Sequence, residues 1–99
     1  MKSLVQGVRR FRTEVFAQQR EYFKKLAAGQ HPQALFITCS DSRVVPNIIT
    51  QTAPGELFVL RNVANFVPTL DHPDASVGAA IDYAVDYLEV PDIIVCGHL

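Results

Sequence analysis

No apolar run in this chain outlasts a short strand, because Pro, Gly or a charge interrupts each one, so nothing in the 99 residues reads as a membrane span. The N-terminus lacks the basic-then-apolar order of a secretory signal, which makes the cytoplasm the expected location. Cysteine is scarce. Cys39 and Cys96 each end an apolar run; they suit a reduced, metal-handling context better than a disulfide framework, with Cys96 expected to pack in the core. Internal repeats and low-complexity tracts are absent, and the net charge is only −1. With 48% apolar and 19% charged residues, the expectation is one globular domain over residues 1–99 with no membrane partner.

The small net charge hides an asymmetry. Lys2, Arg9, Arg10, Arg12, Arg20, Lys24 and Lys25 face only Glu14 and Glu21 in the first 28 residues, a net +5, which leaves −6 for the remainder. Cations scattered around a helix form a solvated face more readily than a nucleic-acid site, so no nucleic-acid partner is expected. An arm that docks on an acidic neighbour, such as a second subunit, suits the pattern better.

Leu4, Val8, Phe11, Val15, Tyr22 and Leu26 recur in steps of three and four with one beat missing, which predicts an amphipathic helix over about 4–28. Ser3 and Gln6 fit a capping box, and Lys24 and Lys25 before a left-handed Gly29 fit its end. Ala34–Thr38, Leu57–Leu60 and Ile93–Cys96 are nearly continuous apolar runs, which predicts strands buried on both faces. Pro46–Thr50 reads as a short helix and Thr52–Glu56, with Pro54 and Gly55, as a turn. Val77, Ala80, Ile81, Ala84, Val85 and Leu88 form a second helical stripe, with Asp74 as N-cap and Val90-Pro91 as the stop. The order predicts an α/β fold: a parallel β-sheet with flanking helices and an N-terminal helical arm.

Ligands of open parallel sheets bind beyond the carboxyl ends of strands where the strand order reverses. Cys39-Ser40-Asp41-Ser42-Arg43 follows the first run and Cys96-Gly97-His98 follows the third, so a first strand lying between the other two would bring Cys39 and His98 into one crevice. Cys, His and carboxylate are the donors zinc takes, which makes Cys39, Asp41 and His98 the candidate metal ligands. Taken singly, a buried cysteine, a terminal histidine and a turn-capping Asp need no function; their joint position at two strand ends favours one. A nucleophilic Cys39 paired with Arg43 in a phosphate cradle fits poorly, because only three residues intervene and Asp41 would repel the phosphate. His31 and His72 adjoin prolines and are expected in exposed loops rather than as proton shuttles.

Cys39-Ser40-Asp41-Ser42-Arg43-Val44, Pro54-Gly55-Glu56-Leu57-Phe58-Val59-Leu60-Arg61-Asn62-Val63-Ala64-Asn65 and Val95-Cys96-Gly97-His98 together resemble the β-class carbonic anhydrases, in the same order and over essentially the whole chain. The resemblance implies the family's α/β fold, Zn2+ as cofactor, Cys39 and His98 as zinc ligands, and reversible hydration of carbon dioxide to bicarbonate, a lyase reaction. It implies catalytic roles for Asp41, which orients the attacking oxygen or closes onto the metal, and for Arg43, which holds Asp41. It also implies substrate contacts from Gln30, often across a dimer interface, and an apolar pocket of Phe58, Val63 and Tyr83, although those three read as core packing without it. A homodimer or higher homo-oligomer is implied as well.

The family has a further cysteine ligand three positions after the histidine, whereas Leu99 is the last residue here. The expectation is therefore the N-terminal part of the family domain, weakly active or inactive by itself and prone to aggregate. Two alternatives remain open: a non-catalytic metal-binding or dimerisation fragment, and a same-fold hydrolase of a sulfur analogue of carbon dioxide.

Overall fold

The computed structural model describes residues Met1–Leu99, which form two compact units, Met1–Gln30 and His31–Leu99. In the first unit, helix α1 (Lys2–Arg10) runs into a π-helical turn (Phe11–Val15) and a last helical turn (Phe16–Gln18). Gln19 leaves helical geometry at φ −120°, ψ 31°, and α2 (Arg20–Ala28) follows. The predicted single helix is thus broken. The break lets Phe23 meet Phe11 and Phe16, at centroid distances of 5.4 and 5.5 Å, and the ring–ring attraction supports the bend. The predicted capping box does not form, because the helix already begins at Lys2 and Ser3 lies inside it. Gly29 is extended rather than left-handed, with φ 160°.

The second unit is built on three parallel strands, β1 (Ala34–Cys39), β2 (Leu57–Asn62) and β3 (Asp92–Cys96), in the order β2-β1-β3. The first strand is therefore central, as the crevice requires. Its residues pair Leu35 with Phe58 and Ile93, and Ile37 with Leu60 and Val95. Every residue of β1 is buried, and Leu35 and Ile37 form the core with Ala84, against Phe58, Leu60, Ile81 and Val90. Burial of both faces holds for β1 alone. In β3, Ile93, Ile94 and Val95 are 50%, 42% and 54% exposed, because β3 is an edge strand and the core gathers on β1 and β2.

Between the strands, α3 (Pro46–Thr50) starts on proline, whose missing N–H costs nothing there, and ends on a left-handed Gln51. Pro54 and Gly55, with Gly55 at φ 91°, make the tight turn into β2, closed by the Glu56 N–H on the Ala53 carbonyl at 3.2 Å. Helix α4 (Ala75–Asp82) is capped as predicted: the Val77 N–H donates to the Asp74 carboxylate at 3.0 Å. It continues through a π-helical turn (Tyr83–Tyr87) and is ended by Glu89 at φ 54°, just before Val90-Pro91. No helix is long and apolar enough to cross a membrane.

Candidate metal centre

Parallel pairing fixes where the chemistry gathers. Cys39 ends β1 opposite Asn62, and Thr38 pairs with Cys96, so Gly97 and His98 leave the sheet beside the residues that follow Cys39. The Thr38 hydroxyl, fully buried, donates to the Cys96 carbonyl at 2.9 Å and ties the ends of β1 and β3 together.

Cys39 is 8% exposed, and its sulfur accepts two backbone N–H groups, from Asp41 and Ala64, each at 3.4 Å. The His98 side chain also acts on this sulfur. The Asp41 N–H, then His98, then the Ala64 N–H draw the thiol down to about 7, against the opposing effect of burial. Near neutral pH a substantial share of Cys39 is thiolate, the form that binds metal. His98 is raised above its ordinary value, first by Cys39 and then by the Leu99 carbonyl, whose oxygen lies 3.3 Å from Nδ1. The two shifts describe one interaction: the thiolate favours the imidazolium and the imidazolium favours the thiolate.

Asp41 stands beside this pair with both oxygens engaged. Arg43 donates Nε–H to Oδ1 at 3.0 Å and Nη2–H to Oδ2 at 2.8 Å, while its backbone N–H reaches Oδ1 at 2.9 Å. These bonds hold the Asp41 carboxyl down at about 2 and raise the Arg43 guanidinium. His98 Nε2 lies 3.9 Å from Asp41 Oδ2. No three His, Cys, Asp or Glu side chains stand close enough together to enclose a metal ion. Cys39 and His98 are a donor pair of the types zinc takes, and Asp41 is turned to Arg43. As donor types, thiolate and imidazole fit zinc.

The loop after β2 supplies a group that motif reading passed over. Val63–Asn65 is a kinked turn in which Ala64 and Asn65 sit at φ 67° and 47°, a region that residues with a Cβ enter at a cost. That geometry delivers the Ala64 N–H to the sulfur. Two consecutive non-glycine left-handed residues carry no composition signal. Arg61 belongs to the family-like run Pro54–Asn65, but that run assigned it no role; it bonds the Cys39, Asp41 and Val44 carbonyls.

The remaining expected contacts divide. The rings of Phe58 and Tyr83 lie 5.6 Å apart, and Tyr83 stacks on Tyr87 at 4.9 Å. Val63, 83% exposed, lines a separate cavity of about 300 Å³ with Leu60, Asn62, Phe66 and Val77. Gln30 closes the first unit and is exposed. His31 and His72 are exposed in loops, as expected, and Cys96 is only partly buried.

Comparison with known proteins bears on the same residues. A family model described as carbonic anhydrase matches residues 34–99. A carbonic anhydrase of Synechococcus elongatus is 48% identical over 98 residues, covering 99% of this chain and 36% of the relative. The solved structure of the beta-carbonic anhydrase CcaA, 49% identical, superposes with a TM-score of 0.95 over 99% of this chain and 48% of its own. One of two tetrameric beta-carbonic anhydrases from Sordaria macrospora, 38% identical, gives 0.88 over 98% of this chain and 48% of its own. The chain spans between a third and a half of the length of these relatives. With a matched family model over its sheet unit and near-half identity along almost its entire length, the chain belongs to the carbonic anhydrases of the β class.

Proposed function

We propose that residues 1–99 form the N-terminal part of a zinc-dependent carbonic anhydrase domain, whose reaction is the reversible hydration of carbon dioxide to bicarbonate. The observation that carries this reading is the placement of Cys39 and His98 at two adjacent parallel strand ends, beside an Asp41 locked onto Arg43. Cys39 and His98 would hold zinc, with Asp41 kept off it while Arg43 takes both carboxylate oxygens. Bound zinc supplies Lewis-acid activation, lowering the pKa of a coordinated water towards about 7.

The chain's own residues do the rest. The backbone N–H groups of Asp41 and Ala64 steady the Cys39 thiolate and orient its lone pairs. Asp41, ionised far below neutrality, accepts a hydrogen bond and orients its donor, and Arg43 fixes the carboxylate plane. Carbon dioxide is uncharged, so an apolar wall suits it, and the Phe58–Tyr83 ring pair supports that role. Exposed Leu4, Val8, Phe11 and Val15 on the basic first unit support a homo-oligomer, a state that the Sordaria relatives' description also names.

A second reading is a metal-binding or subunit-pairing module without turnover, favoured by the presence of two donors rather than three. One experiment decides between them. Stopped-flow carbon dioxide hydration by the protein carrying these residues is expected to fall by at least about a hundredfold in Cys39→Ala and in His98→Ala, in step with lost zinc. Zinc-loaded protein with no hydration above that of free zinc would favour the module; undiminished hydration in both variants would overturn the metal assignment.

A further inference from the structure

Arg61 stands on β2 opposite Thr38, and its guanidinium is directed at three main-chain carbonyls of one loop. Nε–H donates to the Cys39 carbonyl at 3.0 Å, and Nη2–H to those of Asp41 and Val44, each at 2.8 Å. Carbonyls spread over six consecutive residues converge on one planar fork only if the chain curls around it. That curl contains the site. The Asp41 N–H meets the Cys39 sulfur at 3.4 Å, the Arg43 N–H meets Asp41 Oδ1 at 2.9 Å, and the Val44 N–H closes on the Asp41 carbonyl at 3.0 Å. The Asp41–Arg43 ion pair cannot fix this loop by itself, because both partners belong to it. Arg61 joins it to a neighbouring strand.

We infer that Arg61 is a positioning residue: it holds the Cys39–Val44 loop in the one curl that turns the Asp41 N–H onto the Cys39 sulfur and the Asp41 carboxylate onto Arg43. It bonds neither the sulfur nor the carboxylate and acts through the main chain. A lysine has three N–H donors but all on one nitrogen, so it cannot meet carbonyls that Arg61 reaches from two separate nitrogens of a planar fork. The inference deepens the proposed zinc site, and only its consequence for bound metal rests on that reading.

The test is residue-resolved amide hydrogen exchange on the chain and on Arg61→Gln and Arg61→Lys, with a cobalt(II) titration of each. In Arg61→Gln the Asp41, Arg43 and Val44 amides should exchange at least about tenfold faster while Leu35–Thr38 stay as they are, and Arg61→Lys should recover little of the loss. In a chain that binds cobalt through thiolate, Arg61→Gln should also shift the visible cobalt bands. Unchanged loop exchange overturns the inference, as does a uniform rise that includes β1, an unshifted spectrum in a cobalt-binding variant, or failure of both variants to fold. No thiolate-to-cobalt band in the unsubstituted chain would instead remove the zinc reading, and the exchange data alone would then decide Arg61.

Discussion

Cys39 is drawn towards its thiolate form because two N–H groups and the nearby His98 act on its sulfur, and one of those N–H donors belongs to a residue in left-handed geometry. Ala64 at φ 67° is where glycine is comfortable and a β-branched residue is not. Ala64→Val is therefore expected to cost about 1–2 kcal/mol and to loosen the N–H on Cys39, whereas Ala64→Gly should leave stability within about 1 kcal/mol. Thermal melts of the two variants check this, and equal losses would contradict it. Asp41 makes a pH prediction. Its folded pKa of about 2 lies below the ordinary 3.8, so its contribution to stability is present above the ordinary value and is lost as pH falls through the folded one. Arg43→Ala removes the main cause. NMR titration of the Asp41 carboxyl in that variant should show its midpoint moving back up towards 3.8, and a midpoint that stays near 2 would contradict the account.

At the scale of elements, continuous runs of branched and aromatic residues marked all three strands, and Asp74 marked the start of α4, because burial and capping leave local signatures. Asp74→Ala should cost about 1 kcal/mol, read as a lower melting temperature. The break at Gln19, the two π-helical turns and the left-handed Ala64–Asn65 pair were not legible, since each depends on contacts made after the chain has folded. Arg61 shares that cause: a side chain bonded to backbone carbonyls twenty residues away leaves no spacing to recognise. Cys39, Asp41, Arg43 and His98 were legible because strand ends can be read from sequence and the crevice follows from the β2-β1-β3 order.

For the molecule as a whole, β3 is the exposed weakness. It is an edge strand with three apolar residues at 42% exposure or more, the combination that favours pairing with another chain. The 99-residue chain should self-associate with rising concentration, and Ile94→Lys should suppress this without unfolding it; light scattering of the two forms checks the expectation. Ile37→Ala, in the buried centre, should by contrast cost about 2–5 kcal/mol. The proposed metal capture is the central claim, and zinc K-edge absorption spectroscopy tests it most directly. With zinc bound, the account predicts sulfur at about 2.3 Å and nitrogen at about 2.0–2.1 Å, with the sulfur contribution reduced in Cys39→Ser and the nitrogen contribution in His98→Ala. A ligand shell unchanged by both substitutions would contradict it.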